Sequence, residues 1–249
     1  MNLLVVQNVS KRFGSLVAVR DVSIEVPEGE LRAIIGPNGA GKTTVFNLIS
    51  GVFSPTSGAI RFTGEDVSGL KPHQRVARGI ARTFQITEIF PELTVAENLR
   101  VAVEVAAGFR LRPWLSAREK ADVRERIGEL VERVGLASKA HRSVGELSHG
   151  DQRAVEIGLA LALRPRLLLL DEPTAGMGDQ ETYEITALMH RLHRDLSQTI
   201  VLIEHDMRVV FHLADRITVL DRGAVLAEGT PREIAANDAV QAAYLGKAA

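Results

Sequence analysis

Residues Gly36-Pro-Asn-Gly-Ala-Gly41-Lys42-Thr43 combine glycines, a lysine and a hydroxyl at the spacing that grips a polyphosphate. Gly36, Gly39 and Gly41 let backbone amides turn inward around phosphate. Pro37, Asn38 and Ala40 complete the loop, and the helix that follows adds the positive end of its dipole. In this pattern Lys42 supplies a cation to the β- and γ-phosphates and Thr43 a hydroxyl to magnesium, with Thr44 next in the helix. A second group closes the apolar run Leu167 to Leu170. There Asp171 is the natural partner of magnesium, and Glu172 is placed to orient or deprotonate a water attacking the γ-phosphate. Two adjacent carboxylates at a strand end would equally serve to cap a helix. The phosphate loop upstream decides for chemistry.

Four further features are ambiguous alone. His205 stands two residues after the apolar run Ile200 to Ile203, where an ordinary packed histidine would also fit. Gln85 follows Phe84 and reads by itself as surface, and Phe13 reads as a core aromatic. The turn LSHGDQ, Leu147 to Gln152, opens an apolar helix with Ser148, His149 and Gly150, none of which a core needs.

These residues need elements to hold them. Short strands are predicted at Leu3 to Val6, Ser23 to Val26 and Leu31 to Ile35, with a turn at Pro27 to Gly29, and the helix after the phosphate loop should end near Gly51. A small helix is predicted over Lys71 to Arg78, between Pro72 and Gly79. From about Ile86 helical periodicity takes over until about Leu163. Thr94 with Glu97 and Ser116 with Glu119 form capping boxes, and Val123, Ile127, Leu130, Val131 and Val134 repeat at helical spacing. The runs at Leu167 to Leu170 and Ile200 to Ile203 are continuous rather than alternating, as in a parallel sheet covered on both faces, and helical sequence from Thr182 to Leu196 separates them. Asp221-Arg-Gly223 predicts a tight turn between strands, and a terminal helix should run from Pro231 towards Tyr244. Gly108 to Pro113 reads as a connector.

Composition narrows the class. The chain has 249 residues, 45% hydrophobic and 24% charged, enough for a proper core in one domain with a subdomain or in two closely joined domains. A formal charge of −1 gives no overall attraction to nucleic acid, so no nucleic-acid partner is expected. Zero cysteines exclude disulfides, thiolate metal sites and cysteine nucleophiles. No run of apolar residues is long enough to span a bilayer, and the amino terminus reads as a strand rather than a leader.

Taken together and in this order, GPNGAGKTT, Gln85, LSHGDQ, LLLLDEP and His205 resemble the ATP-binding subunits of ABC transporters across nearly the whole chain. The resemblance implies an α/β fold: a RecA-like P-loop core from residues 1–85 and 165–249, an antiparallel β layer from the amino-terminal part, and an inserted helical subdomain at 86–164. It implies a magnesium-dependent ATPase in which Phe13 stacks on adenine and Gln85 senses magnesium and the γ-phosphate. Glu172 is then the catalytic carboxylate, and His205 contacts the γ-phosphate. LSHGDQ resembles the signature motif, whose Ser148, His149 and Gly150 would complete the ATP site of a second ATP-binding subunit in a head-to-tail dimer.

Three positions depart from the family pattern. His149 replaces a glycine, Asp151 stands where glutamine or glutamate is common, and Ala175-Gly-Met-Gly178 lacks an aspartate. Retention of Ser148 and Gly150 implies altered tuning rather than loss of activity, and the missing aspartate bears on crosstalk between the two sites.

Local strings narrow the branch. RTFQITEIFPELTVAENLRVA, the insertion around Phe109 to Trp114, DEPTAGM and LAEGTPREIAANDAVQAAYLG resemble ATPase subunits of branched-chain amino acid importers of the LivG type. Importers of urea and short-chain amides share much of this wording. A lipopolysaccharide-export ATPase is a further alternative, although RTFQ and the tail favour the importer. A soluble ABC protein would bring a second cassette or a coiled-coil insertion, and a small-molecule P-loop kinase would have no use for Ser148, Gly150 and His205. The implied partners are two membrane permease subunits, whose short cytoplasmic helix would dock at Ile86 to Leu93, and indirectly a solute-binding protein. The implied place is the cytoplasmic face of the plasma membrane, peripherally bound.

Overall fold

The computed structural model describes residues 2–83, 89–108 and 116–245. Two sheets share one molecule. Strands β1 (Asn2–Phe13), β2 (Leu16–Pro27), β4 (Ser57–Phe62) and β5 (Glu65–Asp66) form an antiparallel layer in the order β2-β1-β4-β5. The second sheet contains β3 (Leu31–Ile35), β6 (Ile80–Arg82), β7 (Leu167–Asp171), β8 (Thr199–Ile203), β9 (Arg216–Asp221) and β10 (Ala224–Gly229), in the order β10-β9-β3-β8-β7-β6. Its ladders are parallel except for the β9–β10 edge.

The continuous apolar runs serve two cores at once. Leu168, Leu170, Ile200 and Leu202 face one cluster with the helices, whereas Leu167, Leu169, Val201 and Ile203 face another with the antiparallel layer. Successive strand residues point to opposite faces, so a run without polar gaps is what a doubly covered strand requires.

Helix α1 (Lys42–Ser50) follows β3 and ends at Gly51, and α2 (Pro72–Val76) precedes β6. Between β6 and β7 lie α3 (Val95–Ala106), α4 (Ala117–Arg133) and α5 (His149–Ala162). Helices α6 (Asp179–Arg194) and α7 (Met207–Leu213) flank β8 on either side in sequence. Both predicted capping boxes form, the Thr94 and Ser116 hydroxyls accepting from the amides of Glu97 and Glu119 at 3.2 Å.

The long first hairpin was only partly legible. Polar Asn8, Ser10 and Lys11 interrupt the apolar alternation, and Asn8 and Asp21, at φ of 47° and 44°, lie where the β1–β2 register shifts. The expected terminal helix is two helices, α8 (Pro231–Ala235) and α9 (Asp238–Leu245). Asn237 divides them, its side-chain oxygen accepting from the Val240 amide at 3.2 Å and starting the second helix.

Candidate functional site

The phosphate loop joins β3 to α1. Gly36 has φ of 149°, and a Cβ there would stand 2.1 Å from the Leu220 carbonyl oxygen on β9. Only glycine lets the loop lie this close to the sheet. Ala40 is buried, its carbonyl accepting from the Gly223 amide at 3.0 Å, so the β9–β10 turn braces the loop. Asn38 and Gly39 are exposed and Pro37 half-buried. Lys42 folds back over the loop, its Nζ donating to the carbonyls of Gly36 at 2.7 Å and Pro37 at 3.1 Å. Thr43 is exposed and Thr44 half-buried in the first turn of α1.

Phe13 ends β1 with 42% of its surface exposed, too much for a core aromatic. It meets Phe53 edge-on at 5.1 Å, and Lys11 Nζ lies 5.1 Å from its ring. Phe53 and Lys11 gave no signal in sequence because each looks ordinary until the loop after α1 returns beside β1.

The carboxylates stand at the end of β7. Asp171 is 1% exposed, with one oxygen held by Arg82 at 2.8 Å and the other without a hydrogen-bond partner. Burial pushes its carboxyl above the ordinary aspartate range, with Arg82 opposing. Arg82 also donates to Asn47 at 2.6 Å and Ser50 at 3.1 Å on α1, tying Asp171 to the phosphate-loop helix.

Glu172 takes φ of 47°, and its amide donates to the Ile203 carbonyl at 2.9 Å. That conformation turns the side chain towards the end of β8, where His205 Nε2 lies 2.8 Å from Glu172 Oε1. The two residues singled out separately in sequence are therefore one pair.

Glu204 completes the corner. It is 3% exposed and accepts from the Thr174 amide at 2.9 Å, the Thr174 hydroxyl and the His205 amide at 2.8 Å. An acidic residue directly after the buried apolar run Ile200 to Ile203 was its available signal.

The signature turn lies elsewhere on the surface. Ser148 is the N-cap of α5, accepting from the Asp151 amide at 3.2 Å, and both Ser148 and His149 are exposed. Gly150 is buried, and its amide donates to Glu181 on α6 at 3.2 Å. Asp151 pairs with Lys139 at 2.6 Å, and Gln152 donates to the carbonyls of Val144 and Leu147. Gln85 lies outside the described residues.

A parallel sheet whose neighbouring strands β3, β8 and β7 carry a phosphate loop, a histidine and a carboxylate pair at adjacent carboxyl ends defines a nucleotide-hydrolysing cassette. The chain belongs to the ABC transporter family, whose model matches residues 19–175. A model for the branched-chain amino acid ATP-binding cassette transporter matches residues 224–249. The high-affinity branched-chain amino acid transport ATP-binding protein BraF of Pseudomonas aeruginosa is 42% identical, over 99% of this chain and 98% of its own. The protein LivG of Salmonella typhimurium, which carries the same description, is 44% identical at the same coverage. Among solved structures, the ADP conformation of an ATP-binding cassette of an ABC transporter aligns with a TM-score of 0.86 at 30% identity, covering 99% of both chains.

Proposed function

We propose that the chain is the ATP-hydrolysing subunit that powers an importer of branched-chain amino acids. The observation that carries the chemistry is the 2.8 Å contact between Glu172 and His205 at the ends of β7 and β8, one strand from the phosphate loop. The likeness to BraF and LivG over nearly the full chain, with the match of the tail, supports the solute.

In this reading ATP lies over the phosphate loop with adenine against Phe13. Lys42 moves from its own loop carbonyls to the phosphates, and Glu172 accepts a proton from the attacking water while His205, paired with Glu172, contacts the γ-phosphate. Magnesium fits the donor set, because Thr43 offers an exposed hydroxyl and Asp171 a buried carboxylate oxygen with no protein partner. Among the described residues no three His, Asp or Glu converge as a metal site, so phosphate and water would supply the remaining oxygens. Bound there, magnesium neutralises phosphate charge; Gln85 joins it by family resemblance alone.

Residues 1–85 and 165–249 act as the catalytic core and 86–164 as the helical signature subdomain. Ser148, His149 and Gly150 face the nucleotide of a second subunit, so two ATP molecules hold a head-to-tail dimer together. No helix among the described residues is long and apolar enough to cross a membrane. By family resemblance the protein meets its membrane through two permease subunits, which a solute-binding protein supplies. A groove of about 500 Å³ between α3 and α5, lined by Ile89, Phe90, Val101 and Leu159, takes a permease helix.

The test is Glu172→Gln. It should dimerise with ATP, co-purify with polytopic permeases, and lose at least about a hundredfold in turnover, the usual scale for a general base. Hydrolysis at the wild-type rate would remove Glu172 from its role, and recovery of soluble factors alone would overturn transport.

A further inference from the structure

The Gly150 amide does not point into open solvent. Glu181, in the first turn of α6, accepts from it at 3.2 Å with one carboxylate oxygen, and its other oxygen accepts from the Gly178 amide at 3.4 Å. The packing is equally close: a Cβ on Gly150 would stand 3.2 Å from the Glu181 Cβ and 3.4 Å from its Cγ. A side chain at position 150 would have to push Glu181 back by a few tenths of an ångström, independently of any nucleotide. Around it, Ser148 caps the same helix end and Lys139 pairs with Asp151 at 2.6 Å. An anion already sits at the start of α5, where helix-end amides favour negative charge, and it belongs to the chain itself.

We propose that Glu181 is an internal stand-in for phosphate, which the partner subunit's ATP must displace from the Gly150 amide before the dimer closes. The proposal rests on the reading of Ser148 to Gly150 as the signature turn. Closure then exchanges one anion for another. Released from Gly150, Glu181 keeps only the Gly178 amide, so nucleotide arrival at the signature is felt in the 175–178 segment that follows the carboxylate pair. In a chain lacking an aspartate in that segment, Glu181 is the acidic group that bridges it to the signature helix. The carboxylate sets the ATP concentration and subunit concentration at which the dimer forms, because its charge opposes the incoming γ-phosphate.

Sedimentation of the Glu172→Gln protein with ATP and magnesium, across subunit concentration, tests this. Adding Glu181→Gln should move the dimerisation midpoint to lower concentration, by on the order of fivefold for removal of one partly screened charge. Glu184→Gln removes an equal charge one turn further along α6, where the side chain is exposed and accepts from Gln180 at 2.8 Å, and should leave the midpoint unchanged. A midpoint that is unchanged or raised by Glu181→Gln, with an unaltered melting temperature, overturns the proposal. An equal shift from Glu184→Gln overturns it as well, since general charge would then be the cause. If the Glu172→Gln parent itself stays monomeric with ATP, the signature reading fails and the proposal falls with it.

Discussion

Glu172 is held in the left-handed region, which costs a non-glycine residue about 1 kcal/mol, and the neighbouring strand secures it through the Ile203 carbonyl. The strain has a use, since it aims the carboxylate at His205 rather than along the exit from β7. His205 is itself oriented from behind, because the buried Glu204 accepts from its amide and from Thr174 together. The loops after β7 and β8 are thus fixed to each other before any nucleotide arrives. We expect His205→Ala to lower kcat by on the order of a hundredfold while the KM for ATP stays within about threefold, since in the proposed reading its γ-phosphate contact counts most in the transition state and the phosphate loop holds the bound nucleotide. A steady-state ATPase assay checks it. A large rise in KM with kcat intact would make His205 a binding residue only.

At the scale of elements, the helix that carries the phosphate loop is secured at its far end by an arginine. Arg75 is fully buried, and its guanidinium donates to the Leu48 carbonyl, to the Ile49 carbonyl at 2.6 Å and to the Ser68 carbonyl at 3.1 Å. Burial lowers its pKa to about 10, yet it stays protonated at neutral pH, where a cation suits the negative end of α1. Arg75→Met should lower stability by on the order of 3 kcal/mol, because it strands several buried carbonyls, and reduce Tm by roughly 10 °C. Differential scanning calorimetry gives the answer. A second prediction concerns the helix starts. Glu97 and Glu233 are held below the ordinary carboxylate range, chiefly by the backbone amides of Thr94 and Thr230 and then by their hydroxyls. A depressed folded pKa contributes stability that is present above the unfolded value near 4.5 and is lost as pH falls through the folded value. The Tm of Glu97→Gln with Glu233→Gln should therefore fall less steeply than that of the wild type as pH drops below about 5. Equal slopes would remove the caps from the acid response. The same caps explain what the sequence made legible: Thr94 with Glu97, the continuous apolar strands and the phosphate loop are local patterns with one physical solution. Arg75 and Glu181 were hidden, because each acts through residues that only the tertiary fold brings near.

In the whole molecule, the apolar groove and the nucleotide site share a residue. Arg82 lines the groove between α3 and α5 and also holds Asp171 at 2.8 Å and Asn47 on the phosphate-loop helix at 2.6 Å. Its pairing is almost fully buried, so displacement of one end would leave charge uncompensated at the other. A permease helix seated in the groove would press on a rigid side chain rather than a solvated one, and Asp171 would feel it. Val101, 40% exposed on the groove wall, allows the two functions to be separated without touching either. Val101→Asp places a charge on the apolar groove wall with no partner for it, at a cost of a few kcal/mol to the proposed association. The protein should fold, and its basal ATPase should stay within about twofold, because no hydrogen bond of the phosphate loop, Asp171 or Glu172 involves Val101. Transport in membrane vesicles and co-purification with permeases should both be lost. Retained transport would place the permease contact on another face, and a basal ATPase lost together with transport would mean that the groove supports the catalytic site itself rather than a partner.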